Sequence, residues 1–109
     1  LQRINKMNIE LNKMPKKAYR NKNDINNILS NAEDKMYCII QVDYNNGLIR
    51  FESLQHESLF INLYTSTLTI TIENREEGER NNQYHFKNLS VKAINKIFNS
   101  PKKFINNEI

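Results

Sequence analysis

Between residues 36 and 86, apolar side chains recur at every second position, and turn signals interrupt each run. A period of two belongs to extended chain, where successive side chains point to opposite faces. Thr67-Leu68-Thr69-Ile70-Thr71-Ile72 is the clearest run, with Leu68, Ile70 and Ile72 predicted inward and the threonines on the wet face. Leu59, Ile61 and Leu63 alternate in the strand before it, and residues 48–54 form another. Upstream, Met36, Cys38, Ile40, Val42 and Tyr44 are predicted to share the buried face of a first strand. Asn45-Asn46-Gly47 follows and predicts a hairpin whose central residues take positive φ. A polar loop with Gly78 leads to a short last strand around Tyr84, His85 and Phe86.

The two ends have helical spacing instead. Ile4, Met7, Leu11 and Met14 lie on one helical face, and Pro15 ends that stretch. Residues 16–23 read as a basic loop or flexible linker, after which Asp24 is expected to cap a helix burying Ile25, Ile28, Leu29 and Ala32. Ser90 is the predicted cap of a C-terminal helix with Val91, Ile94, Ile97 and Phe98 inward, broken at Ser100-Pro101. A further turn is expected beyond Pro101, with Phe104 and Ile105 packing back. The expected fold is therefore α+β: a four- or five-stranded antiparallel sheet with the N-terminal helices and a C-terminal helix packed on one face. Residues 1–23 are expected to form a basic amphipathic helix and linker, and residues 24–109 a single α+β domain. The other sheet face, expected to carry Tyr37, Ile39, Phe60 and Tyr64, would be left less well covered and available as an interaction surface.

At 109 residues the chain fits one compact domain. A single cysteine excludes an intrachain disulfide framework and a Cys-based zinc site, and two glycines leave little for a phosphate-cradling loop. No stretch approaches the roughly 20 apolar residues of a membrane span, nor is there a secretory apolar core, so a cytoplasmic location is expected. Asn occurs 19 times, Ile 14 and Lys 11, dispersed along the chain, a composition that codon drift in an AT-rich genome produces. The sequence begins at Leu1; a fragment, a processed product and a non-standard start are all compatible with that, and Met7 and Met14 are candidate starts.

No residue constellation calls for catalysis, a cofactor or a metal. Cys38 is predicted in the core, where a thiol behaves as a small hydrophobe. His56 and His85 have no evident nucleophile or proton donor beside them. Asn88-Leu89-Ser90 matches a glycosylation acceptor but reads as a loop and helix cap. Charge is more informative. Residues 1–23 carry seven basic groups and one acid, residues 36–85 carry three basic groups and seven acids, and residues 86–109 carry five lysines and one acid.

The first candidate surface is the run Lys13, Lys16, Lys17, Tyr19, Arg20 and Lys22, in which cations suit phosphates and a ring suits an unpaired base. Lys87, Lys92, Lys96, Lys102 and Lys103 could extend it if the terminal helices pack together. The second candidate is the acidic set Glu73, Glu76, Glu77 and Glu79, expected on a solvated loop where carboxylates can take the place of phosphates.

In general build, the chain resembles the anti-CRISPR inhibitors of mobile elements: small, single-domain, charged and without a catalytic signature. The likeness is one of style over the whole chain and rests on no motif. It implies a non-enzymatic inhibitor, of phage or mobile-element type, that occupies a nucleic-acid-handling protein or ribonucleoprotein such as a CRISPR nuclease. The alternative is direct DNA or RNA binding through the basic termini, with salt-sensitive affinity. No helix-turn-helix, zinc finger or RNP aromatic motif supports specific readout. An enzyme, for instance a nuclease fragment, would need converging acids, and Asp43, Glu52 and Glu73 are scattered in sequence.

Overall fold

A computed structural model describes residues 9–75 and 82–105. Five strands, β1 (Tyr37–Asp43), β2 (Leu48–Ser53), β3 (Leu59–Tyr64), β4 (Thr69–Asn74) and β5 (Asn82–Phe86), form one antiparallel meander in the order of the sequence. Helices α1 (Lys22–Asp34), α2 (Val91–Asn99) and α3 (Pro101–Ile105) complete the α+β domain. The core is a row-by-row product of strand alternation. Ile39, Phe51, Ile61, Ile72 and Tyr84 stand opposite one another across the five strands, and Val42, Ile49, Leu63, Ile70 and Phe86 form the next inward row.

The first strand departs from the strict period of two. Register jumps from Ile39 opposite Phe51 to Gln41 opposite Arg50, so Ile40 is the extra residue of a β-bulge. A bulge reverses the phase of alternation. Tyr37 and Ile39 are therefore buried before it, and Val42 and Tyr44 pack on the core after it. Cys38 and Ile40 are not in the core, and Met36 is 49% exposed. The expectation that Tyr37 and Ile39 lie on the open face is overturned for the same reason. Phe60 and Tyr64 do stand on that face, the former half-buried and the latter exposed.

Four strands begin immediately after a left-handed residue: Met36 (φ 66°), Gly47 (67°), Ser58 (67°) and Leu68 (52°). The hairpin at Asn45-Asn46-Gly47 is real, but residues 44–47 form its loop and only Gly47 has positive φ. Leu68 lies in the loop between β3 and β4 rather than in β4, yet its side chain is fully buried as predicted.

Helix α1 starts earlier than expected: Asn21, not Asp24, is its cap, accepting the Asp24 amide at 3.1 Å. It buries Ile25, Ile28, Leu29 and Ala32. Ser90 caps α2 by accepting the Ala93 amide at 3.1 Å. The α2 side chain Phe98 meets Tyr37 and Phe51 edge-on, at centroid distances of 5.0 and 4.9 Å. The Tyr37 hydroxyl donates to the Phe98 carbonyl at 2.9 Å, and burial pushes its pKa well up. Phe104 of α3 packs back against Phe86 as expected.

Helices α1 and α2 run parallel, joined by two amide contacts in step: Asn95 to Asn27 at 2.9 Å and Asn31 to Asn99 at 3.3 Å. Among the described residues, no helix is long and apolar enough to cross a membrane.

Candidate functional site

The segment before α1 is neither the predicted amphipathic helix nor a free linker over its described part. Leu11–Lys13 and Lys16–Ala18 are single 3-10 turns separated by Pro15, and residues 1–8 of the expected helix lie outside the described residues. Tertiary contacts shape this segment. Met14 and Ala18 are buried, and fully buried Thr65 ties them to the sheet. Its hydroxyl reaches the Ala18 carbonyl and, at 2.9 Å, the Gly47 carbonyl, while its own carbonyl accepts the Arg20 amide at 3.1 Å. One threonine thus joins the N-terminal segment to the two hairpin loops at one end of the sheet.

Around this knot the predicted basic residues do gather, in two classes. Lys13 is paired with Glu10 at 2.7 Å, which raises its pKa through that hydrogen bond and charge, and it lies 5.8 Å from the Tyr44 ring. Lys22 donates to Asn12 at 2.9 Å and sits over the half-buried Tyr19 ring at 5.5 Å, so that ring is already engaged. Lys16, Lys17 and Arg20 are exposed, and none of them forms an ion pair with a described residue. Four of the second lysine set are spread over α2 and α3. Lys92 lies in the first turn of α2, whereas Lys96, Lys102 and Lys103 cluster towards its other end, where Lys96 and Lys103 flank a hollow of about 260 Å³.

The acidic candidate changes character. Glu73 is not on a solvated loop; it belongs to β4 and is 4% exposed. Arg50 of β2 reaches across β3 to pair with it, Asn62 donates to it at 2.6 Å, and Arg75 pairs at 2.8 Å. Both guanidinium groups stand over the Phe60 ring, at 4.6 and 5.5 Å. Burial alone would raise the Glu73 pKa, but hydrogen bonds from Arg50 and Asn62 and the charges of Arg50 and Arg75 hold it below the ordinary value. Glu76, Glu77 and Glu79 lie outside the described residues.

Arg50 and Asn62 of this network were not singled out from sequence. The available signal is register, because both occupy outward positions opposite each other in neighbouring strands. Polar groups also meet elsewhere on this face: the Thr71 hydroxyl and His85 Nδ1 are 3.0 Å apart, and Cys38 Sγ lies 3.8 Å from Glu52. Half-buried His56 donates its backbone amide to Ser53 at 3.0 Å. No group of three or more potential metal ligands occurs among the described residues. Comparison with protein-family models, curated proteins and solved structures gives no match.

Proposed function

We propose that this chain is a non-enzymatic binding protein of mobile-element type that occupies a nucleic-acid-handling protein or ribonucleoprotein, as anti-CRISPR inhibitors do. The supporting observation is the presentation of Lys16, Lys17 and Arg20: three exposed cations without ion-pair partners among the described residues, on backbone pinned by Thr65 and Ala18. A fixed backbone spares the cost of ordering the segment on docking, so these cations suit a guide-RNA backbone or an acidic nuclease surface. Three phosphate contacts release few counterions, and the Tyr19 ring is occupied, so free nucleic acid would be held weakly at physiological salt. That favours a composite partner over the alternative of direct DNA or RNA binding. A cytoplasmic location accompanies this reading.

The test is DNA cleavage by a panel of guide-loaded CRISPR nucleases titrated with the protein, alongside anisotropy of labelled DNA and RNA at two salt concentrations. Inhibition by the wild-type chain and its loss in Lys16→Glu/Lys17→Glu/Arg20→Glu support the proposal. Tight, salt-sensitive binding to free nucleic acid without inhibition would replace it with the direct-binding alternative.

A further inference from the structure

Opposite ends of α1 carry surfaces that complement each other. At its C-terminal end, Met36 and Leu54 are 49% and 47% exposed, and the Leu54 amide donates to the Met36 carbonyl at 2.9 Å. Among the described residues, exposed Glu33, Asp34 and Glu57 lie within three residues of this apolar pair in sequence, with Lys35 as the cation so placed, while Arg75 is committed to Glu73. Three features of this corner oppose ordinary stability rules. Met36 holds a left-handed φ where glycine is preferred, two large apolar groups face water, and two acids stand at the negative end of a helix with no basic residue in its last turn. Such local conflicts concentrate where a surface has a function.

At the N-terminal end of α1 there is an open groove of about 560 Å³. Half-buried Ile9 and Leu11 contribute its apolar part, and Lys13, Lys22 and Asn26 also line it. Lys13 is paired with Glu10, which leaves Lys22 and the sequence-adjacent Arg20 as cations without an ion pair among the described residues. The knob cannot fill its own groove, since the 13 residues of α1 separate them by about 20 Å.

We infer that a second copy of this chain is the occupant: Met36 and Leu54 of one protomer seat in the Ile9–Leu11 groove of the other, with Glu33 and Asp34 facing Lys22. Two α1 helices running antiparallel bring both knob-and-groove pairs together at once, which is the reciprocity a two-fold dimer requires. The same arrangement sets the negative end of each helix dipole against the other's positive end. The contact is of the small, transient class and weakens with salt. It does not use Lys16 or Lys17 but borders Arg20, and its test reads association alone, so its failure is distinguishable from failure of the proposed function.

The experiment is analytical ultracentrifugation of the full chain from micromolar to millimolar concentration, at low and high salt. The wild-type chain is expected to move from monomer to dimer as concentration rises, and to do so less at high salt. Met36→Gly, which suits the left-handed backbone and leaves the fold intact, is expected to weaken the dimer at least tenfold. Glu33→Lys/Asp34→Lys and Lys13→Glu/Lys22→Glu are each expected to be monomeric alone, and to form a heterodimer when mixed, because both contacts then regain opposite charge. A wild-type chain that stays monomeric throughout overturns the inference. So does a dimer indifferent to Met36→Gly, or a mixture that remains monomeric.

Discussion

The Thr65 hydroxyl donates to the Gly47 carbonyl at 2.9 Å, joining the two hairpin loops that flank the paired strands β2 and β3, where Leu48 stands opposite Tyr64. Gly47 has φ +67°, and a Cβ there would collide with the Ala18 carbonyl and with Thr65 Oγ1. Gly47→Ala is therefore expected to cost about 3 kcal/mol, because the obstacle is backbone and the conformation is left-handed. Thr65→Val keeps the shape and loses the hydroxyl, at about 1–2 kcal/mol. Urea unfolding measures both. Hydrogen exchange at the Arg20 amide, bonded to the Thr65 carbonyl, should accelerate in each variant.

Met36 and Leu68 share a left-handed backbone but differ in burial, 49% against 1% exposed. Replacement by glycine should therefore have opposite signs at the two positions. Met36→Gly relieves the backbone and is expected to stabilise the monomer by about 1 kcal/mol. Leu68→Gly relieves the same strain but empties a core site, for a net loss of about 2–4 kcal/mol. Thermal unfolding at a concentration that keeps the chain monomeric compares them.

Glu73 makes stability depend on acid. Its folded pKa is lowered, so its contribution is complete above the unfolded carboxyl pKa of about 4.3 and is lost as pH falls through the folded value. Glu73→Gln should cost about 3 kcal/mol at pH 7, since it leaves Arg50 without its counter-ion, and should flatten the acid limb of the stability curve. Tyr37 acts on the alkaline side. Burial raises its folded pKa, so stability present below about pH 10 is lost as pH rises further, and Tyr37→Phe should remove that slope.

Lys16→Glu/Lys17→Glu/Arg20→Glu should leave unfolding stability within about 0.5 kcal/mol of wild type, because these side chains are exposed and make no ion pair with a described residue. A larger loss would mean that the basic corner maintains the fold as well as presenting charge. Urea unfolding measured before any inhibition assay decides this.

The inward faces of strands β2 to β4 and helix α2 were legible because local pattern and tertiary burial agree there: Ile61, Leu63, Ile70 and Ile72 alternate inward, and Ser90 caps where expected; the outward face of β4 was not, since Thr71 and Glu73, expected in water, are buried. The face of β1 was not, because one bulged residue, Ile40, inverts every assignment before it and nothing local marks it. The N-terminal segment was misread because its turns are held by contacts with Gly47 and Thr65, distant in sequence. At the candidate sites, the clustering of Lys13 to Lys22 could be read directly. The ion pair between Arg50 and Glu73 could not, because these two meet only once three strands are in register, whereas the Glu10–Lys13 pair lies within one turn of chain.

The bond between residues 18 and 65 also orders events in time. Each β-hairpin closes between neighbours in the chain, but the basic corner closes across 47 residues of sequence separation. During synthesis the Ala18 carbonyl emerges from the ribosome well before its partner exists. A chain translated only through β2 holds Lys16, Lys17 and Arg20 on a tether, with no Thr65 to fix their spacing. The corner is thus assembled late, and a partner that reads the spacing of its charges meets it only on the finished protein.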